Sequence, residues 1–340
     1  CKRTLYFYNE AEEPSPCFMA ADTCINIRNL CIIKIHLYWV EYGLKIIGVI
    51  VGRNKDTGYL HTKRIIEKLL ENGFTVLATP ETASCAGLPA TEPSRLFEDA
   101  ELIICVGGDG TFLSTARRAF PYKKPVLGIN KGTVGFLAEI ETSEIDMAIE
   151  CLKNGRCSVQ SRMVLDVKVM RNGKKVYENI AINDAVVTRM ALSRILRLKV
   201  MIDDKYTDSF PGDGIIVSTP TGSTAYSLSA GGPIVQPDMR LMIISPICPH
   251  NLHSRSYVAS DTKTVTVMVD DKSEIDAILT VDGQEGFNIE PDDRIIIKAS
   301  DESSYFVNIK NIDFYDVIRA KIHNGNRNWV KMTWLNDNEC

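Results

Sequence analysis

The chain has 340 residues, 45% of them hydrophobic and 24% charged, with a formal net charge of −4; that balance suits a soluble globular protein with room for two domains. The charge leaves no electrostatic case for nucleic acid or an anionic membrane as partner, and no apolar run reaches the ~20 residues of a membrane span. Ten cysteines include no CxxC pair and have no histidine cluster beside them, so free thiols in a reducing cytoplasm are expected, with neither a disulfide framework nor a metal site.

Residues 1–43 mix aromatics, prolines and cysteines without clear period and read as an extension. Its most apolar stretch, Ile25 to Val40, is interrupted by Arg28, Lys34 and His36. From Leu44 the pattern is regular. LKIIGVIV reads as a buried strand. Leu60, Ile65, Ile66, Leu69 and Leu70 share one face of a helix that Gly73 ends. Phe74 to Ala78 is a strand, and Pro80 to Pro93 reads as a loop. Leu102 to Val106 is a strand, followed by a glycine turn and the helical spacing of FLSTARRAF. Pro125 to Asn130 is the next strand. Strands alternating with helices imply a parallel sheet covered on both faces, with ligands at the C-terminal strand ends. Ser143, with Asp146 three residues on, opens a helix that Gly155 ends.

The pattern then changes to short strands. Val164 to Met170 alternates and Asn172-Gly173 is a hairpin turn. Ala185 to Arg189, Leu196 to Ile202, Gly214 to Ser218, Thr264 to Asp270, Ile278 to Asp282 and Arg294 to Ala299 follow. This half reads as an antiparallel β-sandwich. Phe314 to Ile322 is a final helix and residues 324–340 a tail.

Two stretches carry chemistry. In Leu102 to Leu113, LIICVGGDGTFL, the strand–turn–helix order sets backbone N–H groups and a helix N-terminus where a phosphate would sit. Asp109 is the only acid in that turn. A carboxylate aimed at phosphates either binds Mg²⁺ or accepts a proton from an attacking hydroxyl; the alternative is a plain helix cap. In Gly212 to Pro233, GDGIIVSTPTGSTAYSLSAGGP, small hydroxyls and bare backbone suit a ribose or phosphate, and Tyr226 adds a flat face; the alternative is a Ser/Thr-rich helix cap near Thr221. Asn183-Asp184 interrupts the apolar stretch Ile180 to Val187, as a turn or as a ligand-binding pair. His250 and His253 read as capped or core histidines.

GGDGT at Gly107 to Thr111, GINKGTVGFL at Gly128 to Leu137, Asn183-Asp184, the STPTGSTAY run, SPICPH at Ser245 to His250 and VDGQ at Val281 to Gln284 together resemble the NAD kinase family over about residues 44–323. GGDGT also occurs in lipid kinases and phosphofructokinases; STPTGSTAY is far more specific. The resemblance implies an α/β N-terminal domain with a parallel sheet over 44–141, rejoined by about 303–323, whose last helix returns to it, and a β-sandwich NAD-binding domain over 142–302. It implies a homodimer or homotetramer that phosphorylates the 2′-hydroxyl of the adenosine ribose of NAD, with Mg²⁺ accompanying ATP or polyphosphate and no permanently bound cofactor. Asp109 becomes the catalytic proton acceptor. Asn183, Asp184, Asp213, Thr224, Ala225, Tyr226, Ser229 and Phe136 become NAD-binding residues. Gly107, Gly108, Gly110 and Thr111 become the phosphate cradle. Asp184 stands where many family members carry Glu, on a shorter stem. A lipid kinase would need an apolar groove or a basic patch, neither of which the sequence offers. A third reading is a non-catalytic dinucleotide sensor on the same fold, against which the intact Asp109 argues.

Overall fold

Five α-helices and five strands make up the described N-terminal half. In the computed structural model, which describes residues 35, 39, 43–52, 56–130, 135–190, 195–270, 276–284 and 286–323, the order is β1 (Ile46–Val51), α1 (Leu60–Glu71), β2 (Thr75–Ala78), α2 (Pro80–Ala86), α3 (Pro93–Asp99), β3 (Leu102–Val106), α4 (Asp109–Ala119), β4 (Val126–Asn130), β5 (Ile140–Glu141) and α5 (Ile145–Lys153). The strands pair in parallel in the order β2-β1-β3-β4. Every residue of β3 and β4 is buried, because helices cover both faces and leave no side of the strand in water.

Two local expectations are corrected here. The stretch from Pro80 is a helix, α2, not a loop: Pro80 sits at its N-terminus, where a missing N–H costs nothing, and Gly87 ends it at φ +68. Its burial rests on only Thr82 and Ala83, too thin a stripe to show as periodicity. The capping box before α5 is built by Glu141 and Glu144, whose carboxylate accepts the Glu141 N–H at 2.8 Å, and not by Ser143 and Asp146. The end of the leader is also more than an extension. Trp39 is 6% exposed and packs in the core with Ile47, Ile65 and Leu69.

The second half is β6 (Ser158–Arg171), β7 (Lys174–Ala181), β8 (Asp184–Arg189), β9 (Leu196–Ile202), β10 (Lys205–Gly212), β11 (Gly214–Ser218), α6 (Tyr226–Ser229), β12 (Leu241–Ile247), β13 (Tyr257–Ser260), β14 (Thr264–Val269), β15 (Ala277–Val281), β16 (Gly286–Ile289), β17 (Arg294–Asn308) and α7 (Phe314–Ile318). Asn172 and Gly173, at φ 50 and 74, close the β6–β7 hairpin. An antiparallel sheet in the order β13-β12-β11-β8-β15-β16 faces β6, β7, β9, β10, β14 and β17. Val187, Ile215, Ile244 and Leu279 from the first leaf meet Leu165, Leu198, Val265 and Ile295 from the second, which makes the expected sandwich.

Strand β17 joins the two halves. It runs antiparallel to β14 and β6 and then places Phe306 beside Val126 of β4 in parallel. The parallel sheet and one leaf of the sandwich are therefore a single 11-stranded sheet. The register against β6 shifts between Ala299 and Ser303, where the polar run SDESS ends the apolar pattern that marked Arg294 to Ala299. A boundary at 302 falls inside this strand.

Candidate active site

The turn after β3 owes its shape to Gly107, whose N–H donates to the Ile129 carbonyl at 2.9 Å. A Cβ there would meet Thr111 Oγ1 at 2.6 Å, whereas a Cβ at Gly108 or Gly110 would meet nothing within 4 Å. The first glycine is required by packing, and the other two open backbone to solvent at the α4 N-terminus, where anions are favoured.

Asp109 is the first residue of α4 and does not cap it. Its carboxylate crosses to the segment before β5. Oδ2 accepts the Phe136 N–H at 2.8 Å, and Oδ1 accepts those of Leu137 and Ala138 at 3.1 and 3.3 Å. Gly135 makes the approach sterically feasible, since a Cβ there would lie 1.7 Å from Oδ1. The plain-cap alternative is thereby excluded.

The opposite wall comes from the start of β8 and the end of β11. Most hydroxyls of the STPTGST run hold the chain itself. Ser218 Oγ donates to the Asn183 carbonyl at 3.1 Å, Thr219 Oγ1 to the Ile182 carbonyl at 2.6 Å and Ser223 Oγ to the Val235 carbonyl at 3.1 Å. A Cβ at Gly222 would lie 2.2 Å from the Asn183 carbonyl oxygen, so the turn at 219–224 lies directly on Asn183. Two polar atoms are left buried without a partner: Asn183 Oδ1 and Thr221 Oγ1. Both residues line a cleft of about 210 Å³, with Thr224 and Ala225 beside them and Asp109, Gly110, Leu113, Phe136 and Leu137 opposite.

A buried charge network ties the two walls together. Asp282, with no exposed side-chain surface, accepts the N–H groups of Ile182, Asn183 and Asp184 at 2.9, 2.7 and 3.1 Å. Arg117, two turns along α4 from Asp109, pairs with the same carboxylate at 2.6 Å and also bonds Asn179 Oδ1 at 2.8 Å and the Ile180 carbonyl. The helix that presents Asp109 is thus bolted to the turn that presents Asn183. Removing either charge would leave the other buried and unpaired.

Asp184 lies behind this turn. Burial and the neighbouring Asp282 carboxylate push its carboxyl up to about 7, against ~4 for an ordinary Asp. Between those values the folded state keeps a proton that the unfolded chain has released. The resulting stabilisation is complete below ~4 and lost as pH rises to about 7. Asp184→Asn is neutral throughout, so its melting temperature relative to the unsubstituted protein is expected to be higher at pH 8 than at pH 4.5, by roughly a few degrees. A difference that does not change with pH would show that Asp184 titrates as an ordinary acid.

The cleft thus gathers Asp109, Gly110, Phe136, Asn183, Thr224 and Ala225 from the residues expected in the sequence. Gly107, Gly108 and Thr111 build the turn beside it. Tyr226 is 44% exposed on α6, and Ser229 is exposed there too. Asp213 is not in the cleft: it precedes β11, at the end opposite Ser218, and pairs with Arg189 at 2.7 Å. Thr221, Gly135, Arg117 and Asp282 had no assigned role in the sequence reading. Thr221, Gly135 and Asp282 lay within the motifs STPTGSTAY, GINKGTVGFL and VDGQ; Arg117 carried no signal.

Two family models match the chain: one described as the ATP-NAD kinase N-terminal domain over residues 47–157, the other as the ATP-NAD kinase C-terminal domain over 182–309. The NAD kinase of Acetivibrio thermocellus is 42% identical over 282 residues, 82% of this chain and 96% of that protein. The NAD kinase of Ruminiclostridium cellulolyticum is 41% identical over 281 residues, 82% of this chain and 98% of that one. Yeast NADH kinase complexed with NADH shares the fold, with a TM-score of 0.74 at 23% identity over 81% of this chain and 86% of its own. An NAD kinase from Archaeoglobus fulgidus in complex with ATP gives 0.62 at 25% identity, covering 79% of this chain and 95% of its own.

Proposed function

The chain belongs to the NAD kinase family, and from that premise we propose that the cleft between α4 and the β8–β11 turns is where its two substrates meet. It is a phosphotransferase that moves the γ-phosphoryl group of ATP to the 2′-hydroxyl of the adenosine ribose of NAD, giving NADP. One observation carries the choice of site. A single cleft holds one carboxylate, Asp109, and two buried polar atoms without partners, Asn183 Oδ1 and Thr221 Oγ1. An unsatisfied buried polar group costs ~1–3 kcal/mol, and an adenosine supplies the missing donors.

Phosphoryl transfer is mainly positioning and charge neutralisation. A carboxylate offers about four acceptor sites, and three N–H groups occupy Asp109. The remaining site takes the ribose 2′-hydroxyl. A carboxylate is in general far too weak a base to remove a sugar hydroxyl's proton in advance, so Asp109 orients the hydroxyl and accepts the proton late. The open backbone at Gly108 and Gly110, at the start of α4, faces the donor's phosphates. Among the described residues Asp109 is the only carboxylate lining the cleft. That donor set suits Mg²⁺ carried chiefly by the substrate's phosphates and water. When bound, the ion neutralises charge on the β- and γ-phosphates.

Asp184 follows Asn183 at the start of β8 and does not line the cleft, so it bears on the substrate only through the placement of Asn183. Tyr226 and Ser229 meet the outer part of the dinucleotide. Asp213 reaches it only if a second copy of the chain brings it, which is the reason to keep a homodimer or homotetramer. We place the enzyme in the cytoplasm. The cysteines among the described residues are all free, and among those residues no helix is long and apolar enough to cross a membrane.

Purified protein given ATP, Mg²⁺ and NAD is expected to form NADP, read by an NADP-specific dehydrogenase; no NADP would overturn the proposal. Asn183→Ala sharpens the test. The turn survives, because Asp282 and Ser218 hold its backbone, and the ligand contact is lost. The KM for NAD is expected to rise by ~5–150-fold, the equivalent of ~1–3 kcal/mol, with the KM for ATP little changed. An equal rise for both substrates would leave Asn183 with a purely structural part.

A further inference from the structure

The described walls of the cleft contain no lysine or arginine, yet phosphoryl transfer needs positive charge beside the group in flight. A lysine stands close to the cleft, far along the chain. After α7 the backbone continues as a π turn, Arg319–His323, and within it Lys321 places Nζ 4.9 Å from the centroid of the Phe136 ring. Phe136 is no incidental neighbour. Its ring lines the cleft, and its N–H holds Asp109 Oδ2 at 2.8 Å. Lys321 is therefore set on the residue whose N–H holds Asp109, the only carboxylate among the described residues that line the site.

We propose that Lys321 is a catalytic residue of the transfer, its ammonium meeting the oxygens of the γ-phosphoryl group from the Phe136 side of the cleft, the side that also carries Asp109. The inference rests on the kinase reading of that cleft. In the step itself, the ribose O2′ forms a bond to Pγ and the bond from Pγ to the β,γ-bridging oxygen breaks. ADP departs with that electron pair, and the hydroxyl proton passes to Asp109. Lys321 keeps its own proton throughout and neutralises charge on the oxygens that gain it. Its setting suits the task. Partial burial holds the ammonium below the usual lysine range, and the Asp109 carboxylate counters part of that effect. A less hydrated cation on an aromatic face is readily shared with an incoming phosphate.

The competing possibility is that Lys321 merely packs its stem on Phe136 and anchors the terminal helix. Lys321→Met and Lys321→Arg separate the two, because Met keeps an apolar chain over the ring and Arg keeps the charge. With ATP, Mg²⁺ and NAD, Lys321→Met is expected to lower kcat by ~10–10³-fold with the KM for NAD within about twofold, and Lys321→Arg to restore at least about a tenth of the original kcat. A kcat for Lys321→Met equal to that of the unsubstituted enzyme would overturn the proposal, and so would a Lys321→Arg variant no better than Lys321→Met at matched melting temperatures. Failure of the underlying reading looks different: the unsubstituted protein itself would then make no NADP.

Discussion

Asp109→Asn is expected to lose ~10²–10⁴ in kcat, the usual effect of removing a general base. The change keeps the volume and takes away the proton acceptor. The structure adds a second consequence that the turn's sequence alone does not show. Oδ1 accepts two N–H groups and Oδ2 accepts one. An Asn can place its carbonyl oxygen at the first position, and its NH₂ then opposes the Phe136 N–H. One hydrogen bond becomes a donor–donor contact, at a cost of about 1–3 kcal/mol, so the melting temperature should fall by roughly a few degrees. Two measurements keep these effects apart. Raising Mg²⁺ would partly rescue a metal-binding defect and leave a base defect untouched. NAD affinity, which we assign to Asn183 and Thr221 across the cleft, should hold. A near-normal kcat in the Asn variant would remove Asp109 from the chemistry and leave it as a cross-brace between α4 and the segment at 135–138.

Much of the fold could be read before any coordinates because its elements are long and their burial is one-sided or complete. β9 and β11 fall on the expected bounds, since alternation in LRLKVMI and unbroken apolarity in GIIVS are unambiguous at the period of a strand. α2 escaped notice for want of such a stripe. It buries two residues, so turn-forming chemistry at Pro80 outweighs its weak period. Of β17 only Arg294 to Ala299 was legible: the rest contains the apolar Tyr305, Phe306 and Val307, but buried serines at 300, 303 and 304 interrupt the pattern where the strand passes from one half of the molecule to the other. Trp39 shows the same limit, because a single core residue at the end of an unpatterned stretch has no periodic neighbours to announce it.

The site divides along a similar line. The residues we propose to meet substrate stood out as polar groups in glycine-rich or apolar surroundings: the lone acid in a glycine turn, Asn183 in an apolar strand and part of the run of small hydroxyls. What the sequence did not disclose was which hydroxyls are consumed by the fold. Ser218, Thr219 and Ser223 bond to backbone, and Thr221 alone of the group is left facing the cleft unpartnered. Nor did it show pairings across long separations. Arg117 meets Asp282 over 165 residues, and neither residue's neighbours hint at the other. Positional support of this kind is a property of the tertiary contact and has no local signature.

Gly135→Ala tests that support without touching the reacting groups. Gly135 is not among the glycines with positive φ, so backbone conformation does not forbid the change and only the contact decides. The added Cβ would lie 1.7 Å from Asp109 Oδ1 and 2.4 Å from its Cγ. Either the carboxylate swings away or the backbone at 135–138 retreats. Both break hydrogen bonds to the carboxylate, and hydrogen bonds to charged groups contribute ~1.5–3 kcal/mol each. Asp109 stays chemically intact but loses its aim. A misplacement of ~1 Å at a reacting group costs on the order of 10²-fold, so kcat is expected to fall by about that factor, with a lower melting temperature. Gly110→Ala supplies the contrast. Its Cβ would meet nothing within 4 Å in the free protein, so the melting temperature should not move, while the methyl group would stand where the donor's phosphates approach and raise the KM for ATP. If Gly135→Ala keeps the original kcat, the three N–H contacts to Asp109 are not what orients it, and the carboxylate must be positioned by the substrates themselves.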